Sequence, residues 1–164
     1  MEALVEEAAK KAAVAWVAVG GRPATLVWCA WLGGALLVVS GEGEQAVPGL
    51  AEAAAAEVSL RGDHGGRIVT FPAEVTRIAP GDEAWAEFVP QLAGKRLNGA
   101  GGAEDLAAAW AERCIVSRLT PAGASAAMPE DSQAAPPRPT PATRIPRRPF
   151  RLHKVRGASR DPRR

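Results

Sequence analysis

Along the first residues of the chain, Leu4, Val5, Ala8, Ala9 and Ala12 fall on one side. Glu2, Glu6, Glu7, Lys10 and Lys11 fall mostly elsewhere, which is the spacing of an amphipathic helix over residues 2–13. From Val14 the pattern turns β-like. AWVAV (15–19), TLVWCAWL (25–32) and ALLVVS (35–40) are separated by GGRP and by Gly33-Gly34, so three short strands joined by glycine turns are predicted, as an antiparallel meander. In the middle segment Trp28, Ala30 and Leu32 alternate with Val27, Cys29 and Trp31, and both faces are therefore apolar. Such a strand lies in a closed barrel wall packed on its outside, or at an oligomer interface.

The stretch VVSGEGEQAVPGL (38–50) leads from the third strand into a brief predicted helix, PGLAEAAAAE (48–57), with Pro48 suited to a first helical turn. EVSLRG (57–62) reads as a strand, DHGG (63–66) as a turn, and RIVTFPAEVTRI (67–78) as a long strand. Its Pro72 cannot donate a ladder hydrogen bond and marks an edge, a bulge or a barrel corner. Two helices follow. Asp82 is placed to cap the first, which carries Trp85, Phe88, Val89 and Leu92 at helical spacing, with Pro90 expected to kink or split it. AEDLAAAWAER (103–113) is the second, and CIVSRLTP (114–121) closes the body as a last strand.

Charge divides the chain in two. Residues 1–123 carry ten Lys/Arg against fifteen Asp/Glu, and residues 124–164 carry ten against three. An acidic domain (1–123) is thus followed by a basic, Pro/Arg-rich tail (124–164), expected to be disordered because Ile145, Phe150, Leu152 and Val155 are too few to build a core. The tail's arginines would give at most a weak, sequence-independent contact with nucleic acid. The 164 residues suit one domain with a sizeable core.

Cys29 and Cys114 each sit in an apolar stretch, and the histidines, His64 and His153, are near neither. No metal site, disulfide framework or Cys/His nucleophile pair is expected. MEALVEEAAKK at the start is acidic where an export signal would be basic, so a cytoplasmic location is expected. The uncharged run between Arg22 and Glu42 approaches the roughly 20 residues of a membrane span, but Pro23, Thr25, Gly33-Gly34 and Ser40 break it into a hairpin, and no membrane partner is expected.

Five tryptophans and no tyrosine leave carboxylates, lysine or a cofactor as the proton-transfer repertoire, which disfavours a self-contained hydrolase. The tryptophans fill a barrel and its helices, or Trp28 or Trp31 flanks a flat ring. Among the basic residues Arg22, Arg61, Arg67, Lys95 and Arg96, the GKRLN cluster (94–98) already has a role at a helix C-terminus. Arg61, next to Gly62, is the better phosphate ligand. In the loop, Gly41 and Gly43 let backbone amides converge on an anion, but Glu42 and Glu44 oppose one. Without a GxxxxGK lysine it is no nucleotide P-loop.

The order of elements, with GGRPATLVWCAWLGGALLVVSGEGEQAVPGL and AGKRLNG, resembles the flavin/deazaflavin-binding split β-barrel superfamily, the pyridoxamine 5'-phosphate oxidase-like proteins, and particularly their small actinobacterial members. The resemblance covers residues 2–123. It implies a mainly β fold with flanking helices, a six-stranded antiparallel split β-barrel, paired as a homodimer with FMN or a deazaflavin between the subunits. It also implies an oxidoreductase moving hydride between that cofactor and a small-molecule substrate. Carried over by position, Trp28 and Trp31 would line the ring, Ser40 and Gly41 would approach the phosphate end, and Arg61 would neutralise it. Members of the superfamily that bind the cofactor tightly commonly bring lysine or arginine to the loop where this chain has Glu42, Glu44 and Gln45. The rival expectation is a barrel without cofactor, serving as a binding or interaction module.

Overall fold

The computed structural model describes residues 3–61, 68–97, 99 and 101–125. Helix α1 (Ala3–Lys11) is followed by strands β1 (Val14–Ala18), β2 (Thr25–Trp28), β3 (Ala30–Leu32), β4 (Ala35–Gly41), β5 (Ala55–Arg61) and β6 (Ile68–Ile78). Helices α2 (Glu83–Lys95) and α3 (Ala103–Arg113) then precede β7 (Cys114–Pro121). The strands form one antiparallel sheet in the order β2-β1-β5-β6-β7-β4-β3.

The two outermost strands of that order are the two halves of the predicted middle strand, TLVWCAWL, parted at Cys29. β2 pairs with β1 (Trp16 opposite Leu26), and β3 pairs with β4 (Trp31 opposite Leu36). The Cys29 N–H leaves the ladder and donates to the Ala13 carbonyl at 3.0 Å. One bent segment therefore joins both margins of the sheet, and the sheet closes as a split β-barrel. It counts as six strands with the segment taken whole and as seven with its halves taken apart.

Alternation along each strand sorts the side chains into two cores. Val17, Val27, Cys29, Leu36, Val38, Val58, Leu60, Phe71, Val75 and Leu119 fill the barrel, and Val5, Ala8 and Ala9 of α1 pack into the same cluster. The alternate positions Ala30, Leu37, Val39, Ile78 and Val116 face outward, and are covered by Phe88, Val89 and Leu92 of α2 and Trp110 of α3. β4 is buried on both faces for this reason. The outer face of the β2–β3 segment, expected to be packed or to be an oligomer interface, is covered at Trp28 and Leu32 by helices of the same chain. Each fully buried Leu, Val or Phe contributes about 1.5–3 kcal/mol relative to exposure, so the two cores together hold the helices on the wall.

Three local expectations are corrected. No helix forms over 48–57: residues 48–52 make turns, and β5 takes up the chain from Ala55. Gly49 adopts φ +83°, outside the helical region, and the alanine run gains more from pairing with β1 and β6 than its helix propensity offers. Arg77 closes this turn by donating to the Leu50 and Ala53 carbonyls at 3.2 and 2.7 Å. α2 runs unbroken past Pro90, anchored on both sides of it by buried Val89 and Leu92. Asp82 occupies the N-cap position of α2 without a side-chain cap bond; its Oδ2 instead accepts from the Ala79 N–H at 2.8 Å. Pro72 pairs with Glu57 of β5 one residue before pairing of β6 with β7 begins at Ala73, at the edge of that ladder. The tail from residue 126, His64 and Arg67 lie outside the described residues. No described helix is long and apolar enough to cross a membrane.

Candidate functional site

The loop after β4 is built at the barrel's seam. It turns tightly, with the Glu44 N–H donating to the Gly41 carbonyl (3.1 Å) and the Gly41 N–H to that of Gln45 (3.3 Å). Gly41 is required there by close approach. At φ +147°, a Cβ on it would lie 2.5 Å from the Arg113 carbonyl oxygen and 2.7 Å from the Cys114 Cα. The backbone that Gly41 admits is that of the α3–β7 junction.

Gln45 stitches the seam. Past Trp28 the chain leaves β1 for β4, and on that side the backbone of Trp28 has no strand partner. The Gln45 amide supplies one: its Oε1 accepts from the Trp28 N–H at 2.8 Å and its Nε2 donates to the Trp28 carbonyl at 2.9 Å. A single side chain thus satisfies both backbone groups that a neighbouring strand would otherwise take.

Glu44 turns inward. Its side chain is 6 % exposed, and four N–H groups converge on its two oxygens. Oε1 accepts from Trp110 Nε1 at 3.1 Å. Oε2 accepts from Trp28 Nε1 at 3.3 Å and Arg96 Nε at 3.1 Å, and Arg96 Nη2 lies 3.1 Å from the same oxygen. The Arg96 guanidinium also lies over the Trp28 ring, 5.0 Å from its centroid, and the Trp28 and Trp110 rings are 6.2 Å apart. A buried carboxylate needs both a countercharge and filled lone pairs; both indoles need an acceptor. This cluster meets the two requirements together.

Beside it opens a cavity of about 250 Å³ bordered by Glu42, Leu106, Ala109, Trp110, Arg113 and Cys114. Burial, followed by the nearby Glu44 carboxylate, raises the Cys114 thiol above its ordinary pKa, and burial pushes Cys29 in the barrel up to about 12. Both remain thiols at neutral pH, which leaves neither as a ready nucleophile. Among the described residues no group of three or more His, Cys, Asp and Glu side chains is placed to hold a metal ion.

The residues expected to hold a flavin-type cofactor are not brought together within one chain. Trp28 packs outward under α3, whereas Trp31 packs against the barrel interior, so the two cannot flank one ring. Ser40 and Gly41 pair with Ile115 and Cys114 beyond the Ile78 end of β6, while Arg61 pairs with Ile68 at its other end. The Arg61 side chain lies outside the described residues. The loop does not fit an anionic cofactor, because the groups able to receive a phosphate there are engaged by Glu44. Sequence reasoning missed Arg96 as its partner, the two being 52 positions apart. The available signal was two tryptophans in apolar segments, each with an N–H to satisfy.

No family model matches the sequence, and no curated protein sequence does. Solved structures do match. The heme storage protein HutZ from Vibrio cholerae is similar at a TM-score of 0.54 and 13 % identity, over 74 % of this chain and 89 % of its own. An F420 reductase is similar at a TM-score of 0.50 and 15 % identity, over 75 % of this chain and 96 % of its own. The likeness is one of fold: the chain shares a split β-barrel with these structures.

Proposed function

We propose that this protein is a split-barrel binding and interaction module, without a flavin-type cofactor in the loop after β4, that self-associates through the outer face of β1 and β2. The observation that carries this reading is the Glu44 carboxylate, seated where the resemblance would have the cofactor's phosphate approach. An anion entering the loop would meet that carboxylate in a site of low dielectric, with Arg96 and both indoles already engaged.

Support for self-association comes from an apolar part of the barrel wall that the described helices leave bare. Trp16 and Leu26 are cross-strand neighbours, and Val14 stands beside them opposite Trp28; the three are 38 %, 54 % and 44 % exposed. Adjacent exposed apolar side chains of this size mark an interaction surface. Isologous pairing of that surface between two copies would cover it.

A second reading is favoured by the same face. Trp16 pairs with Ser59, and Arg61 stands two positions further along β5. FMN or a deazaflavin held between two copies would have a flat aromatic surface there, beside a strand that ends in an arginine, and the protein would then be an oxidoreductase acting on a small substrate. Sedimentation velocity combined with titration of FMN and a deazaflavin distinguishes the two. A dimer that leaves both cofactors free supports the module; a dimer that binds one of them stoichiometrically supports the oxidoreductase.

A further inference from the structure

We infer that Arg96, Trp28 and Trp110 form a carboxylate-binding site whose resident ligand is the protein's own Glu44. The inference starts from the same loop geometry as the proposed function but concerns the receptor that the carboxylate leaves behind.

The donor set has the make-up of a ligand site. Arg96 presents Nε and Nη2 to one oxygen, both at 3.1 Å, and the two indole N–H groups divide between the two oxygens. Charge-assisted bonds of this kind are roughly twice as strong as neutral ones. The donors come from three separate elements, β2, the end of α2 and α3, and each has a packing position of its own. Trp110 is 1 % exposed, Trp28 is packed in the same outer cluster, and Arg96 stacks over the Trp28 ring. Removing the Glu44 side chain therefore removes the ligand and leaves its receptor in place.

An entry path exists as well. The cavity of about 250 Å³ borders Glu44, Arg96 and Trp110 directly, and a formate or acetate ion is far smaller than that volume. Its rim carries Arg113, which has no ion-pair partner among the described residues, and Glu42, whose charge opposes an incoming anion. A monoanion of one or two carbons suits these surroundings better than a phosphate dianion.

In the intact protein the tethered Glu44 competes with any free carboxylate at the high effective concentration of a short tether. The wild type is accordingly unresponsive at concentrations that fill the site in its absence. The full chain carrying Glu44→Ala is followed by thermal unfolding in formate and in acetate, against chloride at matched ionic strength. Bound ligand stabilises the native state by mass action. The expected result is a saturable rise in Tm of E44A that recovers most of the loss caused by the substitution. No such rise is expected in the wild type or in E44A/R96Q, nor with neutral formamide. If E44A does not fold in chloride, it is unfolded in urea and diluted into formate or acetate. Recovery of the wild-type tryptophan fluorescence then supports the site, and failure to recover overturns it. Equal shifts in wild type and E44A, or no shift in E44A, also overturn it. A wild type that binds FMN at the β1–β2 face would refute the proposed function and leave this site standing.

Discussion

The Glu44 carboxylate and the Arg96 guanidinium meet across the barrel's seam, with Nε and Nη2 each 3.1 Å from Oε2 and side chains 6 % and 26 % exposed respectively. The pair joins the loop after β4 to the end of α2. Two indoles fill the carboxylate's remaining capacity, so the charge is countered and hydrogen-bonded at once, the condition under which a buried ion pair is tolerated.

Removing one partner is expected to cost more than removing both. Arg96→Met leaves the Glu44 charge buried against two neutral indoles, and a loss of about 3–5 kcal/mol is expected in urea unfolding. The double variant E44Q/R96M retains an acceptor for the indoles without a stranded charge, and its loss should be smaller than that of R96M alone. Additive losses in the double-mutant cycle would contradict the coupling.

Gln45 is expected to matter out of proportion to its position in a surface loop. Gln45→Ala strands the N–H and carbonyl of Trp28 at the split between β2 and β4, and a cost of about 1–3 kcal/mol is expected. Amide exchange at Trp28 should accelerate more than at Val17, which lies inside the closed ladder. Unchanged protection at Trp28 would show that another group holds the seam.

Much of the architecture was legible from alternation alone. TLVWCAWL, apolar on both faces, reads as a wall packed on its outside or as an oligomer interface, and the structure covers its outer face with helices at Trp28 and Leu32 while leaving Leu26 exposed. The alanine run at 53–56 misled because alanine favours a helix locally, while the strand it forms is dictated by β1 and β6, distant in sequence. The site was legible only as a conflict. Glu44 reads as opposed to a phosphate in the loop, but Arg96 is claimed by the helix dipole in any local reading, and its bond to Glu44 exists only once α2 lies on the barrel.

Burial raises the Cys29 thiol from the ordinary 9.0 to about 12, and stability should respond above neutrality. Because the folded-state pKa is the higher one, this stabilisation is fully present below the unfolded value and is lost as pH rises from 9.0 toward 12. Above pH 9 the unfolded chain releases the proton first, so stability should decline by at most about 1.4 kcal/mol per pH unit from this one group. Urea unfolding of the wild type and of Cys29→Ala across that range checks it: the variant should show the shallower decline, and parallel curves would assign the loss to other groups.

The bare face of β1 and β2 supplies a separate test. Leu26→Lys and Trp16→Ser alter exposed positions, where effects on stability are usually within about 0.5 kcal/mol. Self-association measured by sedimentation should nevertheless be lost. A dimer that persists in both variants would place the interface elsewhere.

The most direct test is titration of the full-length wild type with FMN and with a deazaflavin, followed by cofactor fluorescence and by calorimetry. With Glu44 seated on Arg96 and the two indoles in the loop after β4, and the β1–β2 face taken up by self-association, neither cofactor should bind, and cofactor fluorescence should stay that of the free molecule. Stoichiometric binding of either one by the wild type would contradict the closed loop as the basis of this protein's function.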